Sequence, residues 1–375
     1  MKIVTELANT GDETSPQGAL DYPSGARKRI RFESLDALRG LASLAVLLAH
    51  GSIIGKDYFQ SGLAKGYFLF GPFRVHFFFV LSGFLITYLH LADLGRPNAW
   101  KAYVSKRFVR IYPLYWLITF AILPAYFLVP WFGRGWETEV GVILASLLLV
   151  PHPDVGPPVL GVAWTLRHEL LFYVFFGLAI YGGRRFAKIL LGGWFAATMA
   201  YFIYTWGSGI TPGFFPKHLL SRYNLEFAMG GLIAWVLKRK GSFPEWSRLG
   251  WAAGVLSLVA TSWLWFRGLS TEGVFLGYGL TATLFVIYGV ADTTTKWPKA
   301  LRFLGSASYA VYLVHFPALS MFAKIVRALF SPESVGARFL ATICVILAAL
   351  FMGIGVHLFV ERPLVRMLRA RMAYA

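Results

Sequence analysis

Several ionisable side chains sit where they are costly, inside or at the mouths of long apolar stretches. Asp36, Arg39 and His50 fall in one of these, Leu35 to Ile54. On a helix turning about 100° per residue, Arg39 and His50 lie within about 20° of each other and Asp36 within about 60° of both. His50 is then about 16 Å further along the axis than Arg39, so the three form a polar stripe running inward to an imidazole. Charge within a lipid-spanning helix is expensive and marks function by default. A histidine, which titrates near neutrality, is suited to take a proton from a hydroxyl. A plainer arrangement fits the same pattern: an Asp36–Arg39 ion pair at the helix mouth and an interhelical hydrogen bond from His50.

A second group opens another apolar stretch, Lys106-Arg107-Phe108-Val109-Arg110-Ile111-Tyr112-Pro113. Arg107 and Arg110 are three apart and neighbours on one face. Paired guanidinium forks suit phosphate groups, although basic residues flanking a span also serve as topological signals. A third group, Arg167-His168-Glu169, follows Trp164 and Thr165 at the start of a further stretch, with Tyr173 four residues after Glu169 and facing the same way. Arg167 points elsewhere and can snorkel to an interface. Glu226, His315 and His357 also lie in or near apolar stretches and read as helix-packing polar groups.

The elements that position these residues are membrane helices. Apolar stretches long enough to cross a hydrocarbon core about 30 Å thick recur along the chain. They run Leu35 to Ile54, Val75 to Leu94, Phe108 to Val129, Trp164 to Tyr181 and Ile189 to Trp206. The rest are Leu225 to Leu237, Leu249 to Phe266, Val274 to Ala291, Ala307 to Val326 and Phe339 to Val360. The sixth is short, and its start is expected nearer Leu219. Val140 to Val150 is too short to span and reads as a half-helix or re-entrant piece. With ten crossings and both termini cytoplasmic, the clusters Arg27 to Arg31, Arg96 to Arg110, Arg184 to Lys188, Lys238 to Arg248, Lys296 to Arg302 and Arg362 to Arg371 all face the cytoplasm. A full crossing by Val140 to Val150 would turn the later clusters outward.

Composition agrees. Of 375 residues, 57% are hydrophobic and 14% charged, against about 25% charged in a soluble domain. The net charge of +18 reads as cytoplasmic loops and contact with anionic lipid headgroups rather than nucleic acid. Residues 1–33 read as a disordered cytoplasmic tail without a secretory signal, residues 34–363 as the membrane domain and 364–375 as a short basic tail. The single cysteine, Cys344, excludes disulfides and cysteine-rich metal sites, and no metal is expected.

Six segments, in order, resemble the acyltransferase type 3 family of membrane acyltransferases. They are Ser34 to Gly40 leading to His50, Phe77 to Phe84, Arg107 to Leu114, Trp164 to Leu166 with Glu169 and Tyr173, Leu304 to His315, and Glu361-Arg362-Pro363. The resemblance implies an all-α bundle of ten membrane helices in the cytoplasmic membrane. It also implies an acyl-CoA co-substrate, usually acetyl-CoA, with no permanently bound cofactor, and a hydroxyl acceptor on a glycan or small molecule. His50 becomes the catalytic histidine, with Asp36 and Glu169 beside it in catalysis. Arg107 and Arg110, with Arg39, become the coenzyme A phosphate contacts, and Trp164, His168 and Tyr173 the acceptor contacts. Arg167-His168 departs from the Ser-Val common in the family and makes His168 an acceptor-side candidate. The extracytoplasmic esterase-like domain of many relatives is not expected.

The mechanism that follows has acyl-CoA entering from the cytoplasm with its thioester near His50. Glu169, near the outer end of its span, binds the acceptor or tunes a protonation state. The competing reading is a proton-coupled transporter or flippase of a lipid-linked glycan, for which the buried Asp, Arg, His and Glu form a proton relay. A non-catalytic membrane scaffold is the third. Paired arginines at a cytoplasmic mouth favour the enzyme.

Overall fold

The computed structural model describes residues 32–61, 72–129, 132–151, 157–208, 210, 213–330 and 332–373. Among these residues the chain is all α: α1 (Glu33–Phe59), α2 (Phe73–His90), α3 (Trp100–Leu128), α4 (Val140–Leu148), α5 (Trp164–Tyr181), α6 (Gly183–Thr205), α7 (Phe214–Leu219), α8 (Tyr223–Lys240), α9 (Gly250–Phe266), α10 (Thr271–Ala291), α11 (Lys299–Phe330), α12 (Val335–Val356) and α13 (Arg362–Ala373). Eight of the helical segments are long and apolar enough to cross a membrane. The other two expected spans are α5 and α8, 18 residues each, made more polar by Arg167, His168 and Glu169 in α5 and by Glu226 and Lys238 to Lys240 in α8. Outward-facing side chains such as Leu128, Leu256, Val335 and Phe359 are 71–83% exposed, as lipid contact requires and water does not favour.

Boundaries differ from the hydropathy reading where charge and helix propensity diverge. Glu33 already begins α1, while residues 1–31 of the expected tail lie outside the described residues. α3 starts at Trp100, two turns before the apolar run, because Lys101 to Arg107 are good helix formers that reach polar headgroups. The sixth span starts at Tyr223 rather than near Leu219, which instead ends the separate α7. A π-turn over His357–Glu361 joins α12 to α13, so the basic tail is helical through Ala373.

Helix directions alternate. Arg302 pairs with Glu33, Ser34 with Asp292, Lys238 lies over Tyr88, and Arg110 pairs with Glu361. One end of the bundle therefore gathers the starts of α1, α3, α9 and α11 with the ends of α2, α8, α10 and α12. The basic clusters from Arg96 onward lie at this end. α1 and α11 run parallel along a seam of small residues. A Cβ on Gly305 would lie 1.9 Å from Asp36 O, and one on Gly40 2.3 Å from Leu301 O. Gly51 and Gly55 let α12 approach through Ile346 and Thr342, as small residues do at close helix contacts.

α4 is the half-helix. Its last carbonyls, at Ser146, Leu147 and Leu148, accept from Tyr115, Trp116 and Tyr112 midway along α3. The chain leading back into α5 is buried in protein at Val159 and Leu160 and through a short 3-10 turn at Val162 and Ala163, the condition under which backbone outside α-helix is tolerated at membrane depth. Consequently α5 begins partway into the bundle: Thr165 meets Tyr312 of α11 at 2.8 Å.

Candidate functional site

Two polar groups lie along the α1–α11 seam. At the basic end, Arg39 donates from Nη2 to Ser308 Oγ at 3.1 Å and lies 3.9 Å from Asp36 Oδ1. Arg39 is also within electrostatic reach of Arg110, Glu361 and Glu169. Arg110 donates to Glu361 Oε1 at 3.1 Å and lies 5.0 Å over the Tyr309 ring. The other oxygen of Glu361 is 2.7 Å from His357 Nδ1, and the far nitrogen of that ring is 3.4 Å from Ser306 Oγ. Arg107, one helical turn before Arg110, sits between the rings of Tyr103 and Tyr173 at 6.0 and 5.6 Å. Its Nε is buried with no hydrogen-bond acceptor among the described residues, so the guanidinium keeps an unused donor. Arg39 and Arg110 thus meet near Tyr309, and Arg107 lies one helical turn away between Tyr103 and Tyr173. Arg107 and Arg110 share a turn but face different neighbours, α5 and α11 with the π-turn.

Glu169 belongs to this end. It accepts from Ser82 Oγ at 3.2 Å and from the Tyr173 hydroxyl, which puts it among the arginines rather than at an outer helix end. The cause is the re-entrant α4, which lets α5 start deep. Tyr173 accompanies it, apart from the other two expected acceptor contacts. Trp164 and His168 instead pack with Tyr223, at 5.7 and 5.4 Å between ring centroids, and His168 stacks on His218 at 6.3 Å. Asp36 is fourteen residues, about 21 Å of helix, from His50 and pairs with Arg39, so it is not beside the imidazole.

His50 lies further along the seam. Its Nδ1 is 2.9 Å from His315 Nε2, the two rings stacked at 5.0 Å and 28°. His315 Nδ1 is 2.6 Å from the Tyr312 carbonyl. Phe316 closes one side of His50 edge-on at 5.6 Å, and Arg74 of α2 is within electrostatic reach of both imidazoles. Glu226 pairs with His76, both buried, away from this seam, as a packing group would.

Sequence reasoning assigned His315 and His357 to packing, whereas the structure puts one against His50 and the other behind Glu361. A usable signal existed. Ser308 and His315 are seven apart and so within about 20° on a helix, the same facing relation as Arg39 and His50. Glu361 was noticed only as part of a motif. Ser82 and Tyr309 stand inside two of the resembling segments with nothing that singles them out there, and Arg74 has no distinguishing pattern.

No solved structure matches the chain. The exopolysaccharide production protein ExoZ of Rhizobium meliloti (strain 1021) is 30% identical over 320 residues, covering 81% of this chain and 93% of that protein. A Komagataeibacter xylinus protein titled "Putative membrane-bound transacylase BcsY" is 24% identical over 311 residues, 77% of this chain and 73% of its own length. The family model for the acyltransferase domain of acyltransferase type 3 proteins matches residues 32–359, nearly the whole described bundle, including Arg39, Arg107, Arg110, His50 and His315, and the chain belongs to that family.

Proposed function

We propose that this membrane acyltransferase moves an acyl group, acetyl in the first instance, from acyl-CoA to a hydroxyl of an extracellular polysaccharide or its lipid-linked precursor. The observation that carries the reading is the placement of Arg39 and Arg110 together, with Arg107 and its unused Nε one turn away, at the end of the bundle richest in Lys and Arg. Guanidinium donors in a partly desolvated, tyrosine-walled site suit the phosphates of coenzyme A. The positive-inside rule makes that end cytoplasmic, where acyl-CoA is supplied, in a cytoplasmic membrane crossed ten times. The polysaccharide class is supported by the resemblance to the exopolysaccharide production protein.

His50 is the general base. Arg39 and His50 are about 16 Å apart along α1, a length a pantetheine arm can cover, so donor phosphates at the arginines leave the thioester near the imidazole. His50 takes the proton of the acceptor hydroxyl as its oxygen attacks the thioester carbonyl carbon. The carbon–sulfur bond breaks, and the departing thiolate takes the proton back from His50. Glu361 and His357 hold Arg110, and Glu169 with Ser82 holds Tyr173 against Arg107. Trp164, His168 and Tyr223 offer aromatic faces for the acceptor at the opposite end.

The test uses purified full-length protein in lipid nanodiscs and acetyl-CoA labelled in the acetyl group, wild type beside His50→Ala. Both should bind acetyl-CoA, and only wild type should release free coenzyme A. Release at the wild-type rate by His50→Ala removes the base. Failure of both to bind acetyl-CoA removes the donor and moves the reading to a carrier of the glycan.

A further inference from the structure

We infer that His315 is a positioning residue that fixes the tautomer of His50, leaving His50 Nε2 as the bare, proton-accepting nitrogen. The inference rests on His50 being the base. It follows from hydrogen-bond polarity alone. The Tyr312 carbonyl can only accept, so His315 Nδ1, 2.6 Å from it, carries the proton. A neutral imidazole with Nδ1–H has a bare Nε2. His315 Nε2 is therefore an acceptor, and the nitrogen facing it at 2.9 Å, His50 Nδ1, must donate. That assigns the His50 proton to Nδ1 and its lone pair to Nε2.

The consequence for catalysis is directional. Free imidazole exchanges its proton between the two nitrogens, and a base in the wrong tautomer presents N–H where a lone pair is needed. The carbonyl–His315–His50 chain, with the Val46 carbonyl as a second acceptor at the His50 ring, removes that choice by anchoring it to backbone, which cannot change polarity. When Nε2 accepts the hydroxyl proton, Nδ1–H remains bonded to His315 Nε2, so the forming imidazolium keeps its partner through the step. His315 is fully buried and the ring stacking at 5.0 Å holds the pair in register. Arg74, the charged group facing both rings, lacks an acceptor in its guanidinium and cannot take the place of His315 Nε2.

The experiment combines nitrogen-15 NMR and turnover on full-length protein in lipid, with all histidines labelled and His50 assigned by its disappearance in His50→Gln. Wild type should show His50 protonated at Nδ1 and bare at Nε2. His315→Leu, which fills the space without an acceptor, leaves the His50 ring only the Val46 carbonyl and should shift part of the His50 population toward Nε2–H. It should also lower kcat on the order of ten- to a hundredfold, a part of the roughly 10²–10⁴ that a positioned base supplies, with donor KM unchanged. His315→Gln places an amide oxygen where Nε2 stood and should restore both the tautomer and most of kcat, which simple repacking would not do. Nε2–H on wild-type His50, or a tautomer unmoved by His315→Leu, overturns the inference while leaving His50 as the base. Normal turnover by His50→Gln would instead sink the underlying reading.

Discussion

Gly305→Ala tests whether the α1–α11 seam sets the reactive geometry. The new Cβ would lie 1.9 Å from Asp36 O, whereas a C–H group approaches a carbonyl oxygen to about 3.3 Å. The overlap is therefore about 1.4 Å. Asp36 O is a helix backbone atom in α1 and cannot rotate aside as a flexible side chain would, so the two helices must part or tilt by roughly 1 Å. The Arg39–Ser308 bond, 3.1 Å long, would be stretched past hydrogen-bonding reach. Overpacking of this kind costs about 1–3 kcal/mol of stability, and misplacing reacting groups by about 1 Å can cost about 10²-fold in rate. The assay is acetyl-CoA turnover beside thermal unfolding of the same nanodisc preparation. Two comparators separate the effects. A Cβ on Gly355 meets nothing within 4 Å, and one on Gly230 would lie 1.9 Å from Val80 O in the α2–α8 contact, off the seam. Gly230→Ala should lose stability comparably yet keep more of kcat. A Gly305→Ala protein indistinguishable from Gly355→Ala in both Tm and kcat would refute the reasoning.

The other predictions concern separate groups. Arg107→Ala and Arg110→Ala each remove charge-assisted bonds worth about 1.5–3 kcal/mol and should raise donor KM about ten- to a hundredfold; an unchanged KM in either removes that arginine from the donor site. Glu226→Ala leaves the buried His76 without its partner and should cost about 1–3 kcal/mol in stability while leaving donor KM alone; an unchanged Tm would show that the pair does not brace α2 against α8. Burial alone would raise the Asp292 carboxyl, but the Ser34 hydroxyl and the Thr294 and Thr295 groups hold it below the usual carboxylate range. A depressed carboxylate stabilises the fold above its ordinary pKa of 3.8 and is lost only as pH falls through the lower native value. Asp292→Asn should therefore lower Tm equally at about pH 7 and about pH 5, and a deficit that fades between those two pH values would contradict the sign.

The fold was legible because hydrocarbon imposes long apolar helices, and the face shared by Arg39 and His50 follows from helix periodicity. The Val140 to Val150 half-helix was legible too, from its length. What hydropathy could not convey is the consequence of that half-helix for its neighbour. By returning the chain at the depth of Tyr112 and Tyr115, α4 starts α5 inside the bundle and carries Glu169 to the arginines. Nor could one sequence pair α1 with α11, since 265 residues separate His50 from His315 and either histidine alone reads as packing. The role of Glu361 lay beyond reach for another reason: it sits at the end of a π-turn, with its carboxylate held between His357 and Arg110.

The parallel run of α1 and α11 has a mechanistic consequence that separate helices would not give. Arg39 and His50 are on α1, and their partners Ser308 and His315 are on α11, so on the proposed mechanism the donor's phosphates and the reacting carbonyl would be read against one rigid pair. A seam of small residues permits almost no sliding between these helices. Engagement of the phosphates at Arg39 therefore fixes the same surfaces that orient His50. On this geometry, loss of Arg107, which touches α5 rather than the seam, should alter donor KM alone. Loss of Arg39 should alter KM and kcat together, and a pure KM effect at Arg39 would show that the two polar groups act independently.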